Sequence, residues 1–172
     1  MSEIFPNLHL GDVGTSRDST FFKKRKISHV LIAARGLKQH FKGSCTYMQL
    51  SISDIPILKI ITYFVESIQF IDEAISNGKN VLVHCLGGIS RSATIVIAYV
   101  MIKKRKSFEE ALKFVKKQRP KVNPNPGFAA QLQVFEKCLL YYFDNTKGEK
   151  IDFPFLTECI TPLIKDFEYK RI

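Results

Sequence analysis

The run His84-Cys85-Leu86-Gly87-Gly88-Ile89-Ser90-Arg91-Ser92 combines a thiol, two adjacent glycines and a guanidinium at a spacing that lets them surround one phosphoryl group. Upstream, Asn80-Val81-Leu82-Val83 has the apolar, β-branched character of a buried strand, which puts Cys85 at a strand's end. Downstream, Ala93 to Met101 is apolar on all sides and is followed by Lys103, Lys104 and Arg105, the pattern of a buried helix ending in cations. Where such a strand turns into such a helix, the successive backbone N–H groups of Leu86, Gly87, Gly88, Ile89, Ser90 and Arg91 can converge on an anion. The helix N-terminus adds about half a positive charge to the same spot. Gly87 and Gly88 allow the dihedrals and the close approach this requires. Arg91 offers a planar fork for two phosphate oxygens, which a lysine cannot imitate.

The same field acts on the thiol. A free cysteine has a pKa of about 8.5, and a helix N-terminus with cations nearby lowers it by several units, so Cys85 is expected as a thiolate at neutral pH. On an extended segment His84 points away from Cys85, and its ring nitrogens are expected to support the loop rather than touch substrate. Alone, Cys85 reads as a packed core thiol. The histidine, glycines, serine and arginine around it make it a nucleophile in the floor of a phosphate trap.

HCLGGISRS matches the HCxxGxxRS signature of the cysteine-based protein phosphatases and resembles the dual-specificity branch in particular. Leu8-His9-Leu10-Gly11, the strand Ile27 to Leu31, Ala98-Tyr99-Val100-Met101, and Arg119-Pro120 through Asn125-Pro126-Gly127-Phe128 with Gln131-Leu132 are similar to that family's landmarks and stand in the same order. The resemblance runs from about Ile4 to Tyr142. Gly87 departs from it, since many members carry Ala there, but no functional group is lost. The resemblance implies hydrolysis of phosphotyrosine and of phosphoserine or phosphothreonine in proteins through a phosphocysteine intermediate. It implies no metal and no cofactor, because Arg91 and the loop amides neutralise the phosphoryl oxygens. It also implies that Ser92 donates a hydrogen bond to the departing sulfur; a plain helix-terminal serine is the other reading, and the two are compatible.

Expelling an alkoxide or phenoxide unprotonated is slow, so an acid must come from elsewhere in the chain. Asp54 is the candidate: it follows the strand-like Tyr47 to Ile52, precedes a helix expected to begin near Pro56, and matches the family's general-acid position. Asp12 is the rival carboxylate, but Gly11-Asp12-Val13-Gly14 reads as an ordinary turn after the first strand. Asn125 either supports the loop, as the family's Pro-Asn-x-Gly-Phe segment implies, or is a turn residue between Pro124 and Pro126.

Length and composition bound the rest. With 172 residues, 45% of them hydrophobic, the chain suits one domain with a proper core and has no room for a second. Residues 1–144 read as the catalytic domain and 145–172 as a C-terminal extension of unknown role, whose Ile151, Phe153, Phe155, Leu156, Ile160 and Leu163 are too apolar for a plain disordered end. With no Trp and no long insertions there is little to build a deep phosphotyrosine slot, so a shallow cleft open to shorter phosphoresidues is expected. Cys45, Cys85, Cys138 and Cys159 form no CxxC pair, which signals neither a zinc site nor a disulfide framework and points to a reducing compartment, cytoplasmic or nuclear. Cys45 and Cys138 are core or surface thiols, or else partners that trap an oxidised Cys85. Neither a signal peptide nor a membrane span is expected.

Strand-like runs fall near Asn7 to Leu10, His29 to Ala33, Tyr47 to Ile52 and Asn80 to His84. Between them Asp18 to Lys26 suits a short helix, and Ile57, Ile60, Ile61, Phe64, Val65 and Ile68 repeat at helical spacing up to the stop at Asn77-Gly78. Ser107 to Glu110 forms a capping-box pattern opening a helix to about Gln118, and Phe128 to Phe143 suits another. Strands interleaved with helices, then helices alone, specify an α/β architecture with a central, mainly parallel sheet flanked by helices, similar to the protein tyrosine phosphatases. Cys85 then sits at a strand's carboxyl end, where such sheets bind ligands.

The net charge is +10, with basic runs at Lys23-Lys24-Arg25-Lys26 and Lys103-Lys104-Arg105-Lys106 joined by Lys113, Lys116, Lys117, Arg119 and Lys121. These are either solvated helix ends or a surface for an acidic partner or an anionic membrane. No aromatic-interleaved RNA motif accompanies them, so nucleic acid is not expected as a partner. Two other functions stay open: removal of phosphate from a phosphoinositide or an RNA 5′ end, and non-catalytic binding of phosphoproteins. Apolar Leu86 and Ile89 weigh against the first and the presence of Cys85 against the second.

Overall fold

The structure, a computed structural model, describes residues 1–147 and 150–169. Five strands form one sheet: β1 (Ser2–Phe5), β2 (Leu8–Gly11), β3 (Ile27–Ala33), β4 (Thr46–Leu50) and β5 (Asn80–His84), in the order β1-β2-β5-β3-β4. Only β1 runs antiparallel, turning into β2 through Asn7 at φ 72°. The chemistry-free strand β1 is absent from the sequence reading because its four residues are too few to show alternation. β5 is the centre of the sheet, paired in parallel with β2 on one side and β3 on the other. A strand flanked this way is buried on both faces, which is why Val81, Leu82 and Val83 are a continuous apolar run.

The helices are α1 (Ser19–Lys24), α2 (Phe64–Ser76), α3 (Arg91–Lys104), α4 (Phe108–Gln118), α5 (Pro126–Asn145) and α6 (Phe153–Tyr169). α3 is buried from Ser92 to Ile102, as its uniformly apolar sequence requires. Its C-terminus is closed by Arg105 in the left-handed conformation, with φ 48°. Asp18 caps α1, and Ser107 and Glu110 close a reciprocal capping box on α4. One polar network crosses the core: Tyr99 donates to Asp72 at 3.0 Å, and Lys103 joins the same oxygen at 2.7 Å. Burial first, then the Asp72 carboxylate, drive the Tyr99 phenol far above its usual range.

One expectation needs correction. No helix begins at Pro56: residues 55–58 form a turn, closed by Leu58 N donating to the Ile55 carbonyl at 3.1 Å, and a short 3-10 segment, Ile60–Tyr63, precedes α2. Pro56 lacks an N–H and its ring suits a turn's second position, so it stops the helical pattern it was read as starting. Ile57 accordingly leaves the apolar face of α2 and is 71% exposed. The C-terminal segment, whose apolar residues are unlike a disordered end, packs on the domain. α6 packs on α5 and α2, with Leu156 and Ile160 buried in the same core as the sheet. Tyr142 on α5 ties down the segment's start: its Oη accepts from Asp152 N at 2.7 Å.

Candidate active site

Cys85 stands one residue past the carboxyl end of β5, 2% exposed. Its sulfur accepts two hydrogen bonds, from Gly88 N at 3.2 Å and from Ser92 Oγ at 3.2 Å. Gly88 must be glycine on two counts: its φ is +62°, and a Cβ there would run into the carbonyl of Gly11 and the guanidinium of Arg119. Gly87 is less constrained, since an added Cβ would meet only the side-chain end of Ile89, at 3.2 Å. The loop therefore tolerates Ala at 87 and nothing at 88. His84 is fully buried, with Nδ1 3.3 Å from the Cys85 carbonyl, so it braces the loop from behind, and burial lowers its pKa.

Arg91, the first residue of α3, is 15% exposed in its side chain and donates from Nη1 to the Ile52 carbonyl at 3.4 Å. Its Nε is buried and has no hydrogen-bond partner; the nearest acidic oxygen is Asp54 Oδ2 at 3.6 Å. A buried guanidinium N–H without an acceptor is costly, and an incoming anion relieves it.

Asp54 is brought to the loop by two residues. Its Oδ1 accepts from Ser90 Oγ at 2.7 Å and from Asn125 Nδ2 at 2.9 Å. Asn125 N in turn donates to Ser90 Oγ at 3.1 Å, while Asn125 Oδ1 caps α5 by accepting from Phe128 N at 3.0 Å. The loop-support and turn readings of Asn125 thus coincide in one helix cap. The Ser90 side chain faces Asp54, which leaves its backbone N–H as its contribution to the phosphate loop. With Oδ1 held by two donors, Oδ2 is the oxygen that faces Arg91 Nε.

The sequence reading missed the brace beneath the loop. Arg119, counted among the solvated basic residues, is 4% exposed. It donates from Nε to the Gly88 carbonyl at 2.9 Å and from Nη2 to the Gly87 carbonyl at 3.4 Å, holding both carbonyls against the guanidinium. Asp12, read as an ordinary turn residue, pairs with Arg119 Nη2 at 3.1 Å and Lys121 Nζ at 3.3 Å. Desolvation raises the Asp12 pKa, but hydrogen bonds from Thr15, Arg119 and Lys121 overcome it and hold the carboxyl well below the usual carboxylate range. No local pattern signals a pair so far apart in sequence. The basic runs also thin out: Lys23 and Lys24, Lys103 and Lys104, and Lys116 and Lys117 stand in the last turns of α1, α3 and α4, where cations complement the helix dipole.

All four cysteines are free thiols. Cys45 donates to the Ile27 carbonyl, and Ile27 is level with Asn80, at the opposite end of β5 from Cys85. At roughly 3.3 Å per strand residue, Cys45 is too distant to bridge Cys85. Cys138 hydrogen-bonds with Cys159, and burial, reinforced by that neighbour, pushes its thiol up to about 12.

The sequence profile described as "Dual specificity phosphatase, catalytic domain" matches residues 8–138. The chain belongs to the dual specificity phosphatase family. The phosphatase is 40% identical over 139 residues to dual specificity protein phosphatase 1B of Arabidopsis thaliana, covering 81% of this chain and 83% of that one. It is 40% identical over 133 residues to the mouse dual specificity protein phosphatase 19, covering 77% of this chain and 60% of that longer relative. Among solved structures, the human tyrosine phosphatase-like serine/threonine/tyrosine-interacting protein superposes with a TM-score of 0.77 at 37% identity, covering 81% of this phosphatase and 97% of that chain. Among the described residues, no helix of the phosphatase is long and apolar enough to cross a membrane.

Proposed function

We propose that the phosphatase removes phosphate from tyrosine and from serine or threonine side chains of proteins by two displacements at Cys85. Carrying this reading is the convergence of Gly88 N and Ser92 Oγ on the Cys85 sulfur beside the unpartnered Arg91 Nε. Hydrogen bonds donated to sulfur favour its anionic form, the nucleophile. In the first displacement the sulfur–phosphorus bond forms as the ester oxygen leaves, taking a proton from Asp54. Arg91 and the amides of residues 86–91 carry the charge on the three equatorial oxygens. In the second, water attacks phosphorus, gives its proton to Asp54, and the sulfur departs as a thiolate that Ser92 stabilises. Inorganic phosphate is released and every group is reset.

A thiolate nucleophile works only while reduced, which supports a cytoplasmic or nuclear setting. The lysines at the ends of α1, α3 and α4 supply a basic surface suited to an acidic partner or an anionic membrane surface. Rates measured side by side on a phosphotyrosine peptide, a phosphothreonine peptide and a short-chain phosphoinositide test the substrate reading. Turnover of both peptides that vanishes in Cys85→Ser supports it. A phosphoinositide preferred to both peptides contradicts it, and tight peptide binding without turnover would make the protein a phosphoprotein-binding module instead.

A further inference from the structure

Seven large apolar residues are exposed among the described residues, and four of them, Ile55, Ile57, Leu86 and Ile89, stand on the two loops that carry Asp54 and Cys85. We infer that these four form an apolar collar around the mouth of the site and that it selects phosphorylated segments in which apolar side chains flank the phosphoresidue. This rests on the catalytic reading of Cys85 given above and adds the substrate's local chemistry to it.

The two loops are one surface. Ser90 Oγ donates to Asp54 Oδ1 at 2.7 Å, so Ile89 and Ile55, the chain neighbours of that pair, flank a single hydrogen bond. Leu86 follows the nucleophile directly and is 56% exposed, its carbonyl tied down by Val13 N at 3.1 Å. Ile57 is the most telling of the four. It occupies the third position of the Ile55–Leu58 turn, a tip where polar residues ordinarily meet water. A β-branched residue 71% exposed at a turn tip goes against that local chemistry, and such violations concentrate where function requires them.

Nor does the exposure arise from a loose loop. Gly127 lets the Pro56 carbonyl approach where any Cβ would collide with it. Gln131 donates from Nε2 to the Leu58 carbonyl at 2.8 Å and accepts from Ile61 N at 3.0 Å, pinning the turn to α5. The collar is therefore preformed, so burying apolar groups against it carries little ordering cost. A phosphoinositide head group or a nucleic acid 5′ end would instead want cations at these positions, and all four side chains are hydrocarbon.

Full-length protein and three phosphotyrosine peptides of one length test this. The positions on either side of the phosphoresidue are leucine in one, serine in the second and glutamate in the third. We expect kcat/KM for the leucine peptide to exceed that of the others on the order of tenfold, mostly through KM, as displaced apolar contacts of this size allow. In the double variant Ile55→Ser, Ile57→Ser the ratio should shrink to about twofold. Equal values for the three peptides, a preference for the glutamate peptide, a preference that survives the double variant, or faster turnover of a short-chain phosphoinositide than of the leucine peptide would each overturn the collar. Hydrolysis of p-nitrophenyl phosphate, absent in Cys85→Ser, separates the failures. If wild type lacks it, the catalytic reading and the collar fall together; if wild type has it and the peptides are not distinguished, the collar alone falls.

Discussion

Ser90 donates to Asp54 Oδ1 at 2.7 Å, so the loop that would grip the phosphoryl group also holds the acid that would protonate the leaving oxygen. A substrate seated on the loop is thereby seated against the acid. Asp54→Asn should lower kcat on phenyl phosphate about 10²- to 10⁴-fold. On p-nitrophenyl phosphate, whose leaving group needs less help, the loss should be much smaller. Equal losses on the two esters, read from steady-state rates, would remove Asp54 as the acid.

Ser90→Ala and Asn125→Ala each remove one donor from the same Asp54 oxygen. Each should reproduce part of the Asp54→Asn phenyl phosphate defect, and the double variant should fall short of the product of the two because both act through one carboxylate. A double-mutant cycle in kcat for phenyl phosphate reads this coupling; full additivity contradicts it.

The Arg119–Asp12 pair makes the loop's shape depend on a buried charge. Arg119→Met removes the clamp on Gly87 and Gly88 and leaves Asp12 with Thr15 and Lys121. Losing the guanidinium's hydrogen bonds while Asp12, partly exposed, keeps its other partners should cost about 1–3 kcal/mol, and urea unfolding should show it. The phosphate-binding constant of the folded variant should weaken as well, which separates loop shape from simple stability.

The same carboxylate sets an acid limit. The folded-state pKa of Asp12 lies below its unfolded value, so its contribution is complete above the ordinary carboxylate range and drains away as pH falls through and below it. Stability of wild type followed by thermal melts should drop more steeply below about pH 4 than that of Asp12→Asn, which has no proton to gain. Parallel curves would show that Asp12 is not the group responsible.

α6 belongs to the domain's stability. Leu156 is fully buried, and Leu156→Ala should cost about 2–5 kcal/mol in urea unfolding while leaving KM for p-nitrophenyl phosphate unchanged. No loss of stability would mean that the segment is not docked.

What the sequence made legible follows from where each signal lies. The strand–loop–helix unit around Cys85 is local: an apolar strand, two glycines and an apolar helix are contiguous, so Cys85, Arg91 and Ser92 could be placed before any fold was known. Asp54 needed the family resemblance, because a lone aspartate before a turn has many ordinary uses. The Arg119–Asp12 brace spans most of the chain and carries no periodicity, so composition assigned Arg119 to a solvated surface that it does not occupy. Ile57 was misassigned for the opposite reason: it continues a real helical repeat, and only the Pro56 turn takes it out of register.

The central claim is that Cys85 becomes phosphorylated during turnover. Full-length protein mixed with p-nitrophenyl phosphate, quenched in acid within the first turnover and digested for mass spectrometry, should carry phosphate on the Cys85 peptide. That adduct should accumulate further in Asp54→Ala, where water is no longer activated, and vanish in Cys85→Ser. An unmodified Cys85 peptide at every quench time, together with turnover that survives Cys85→Ser, would contradict the account.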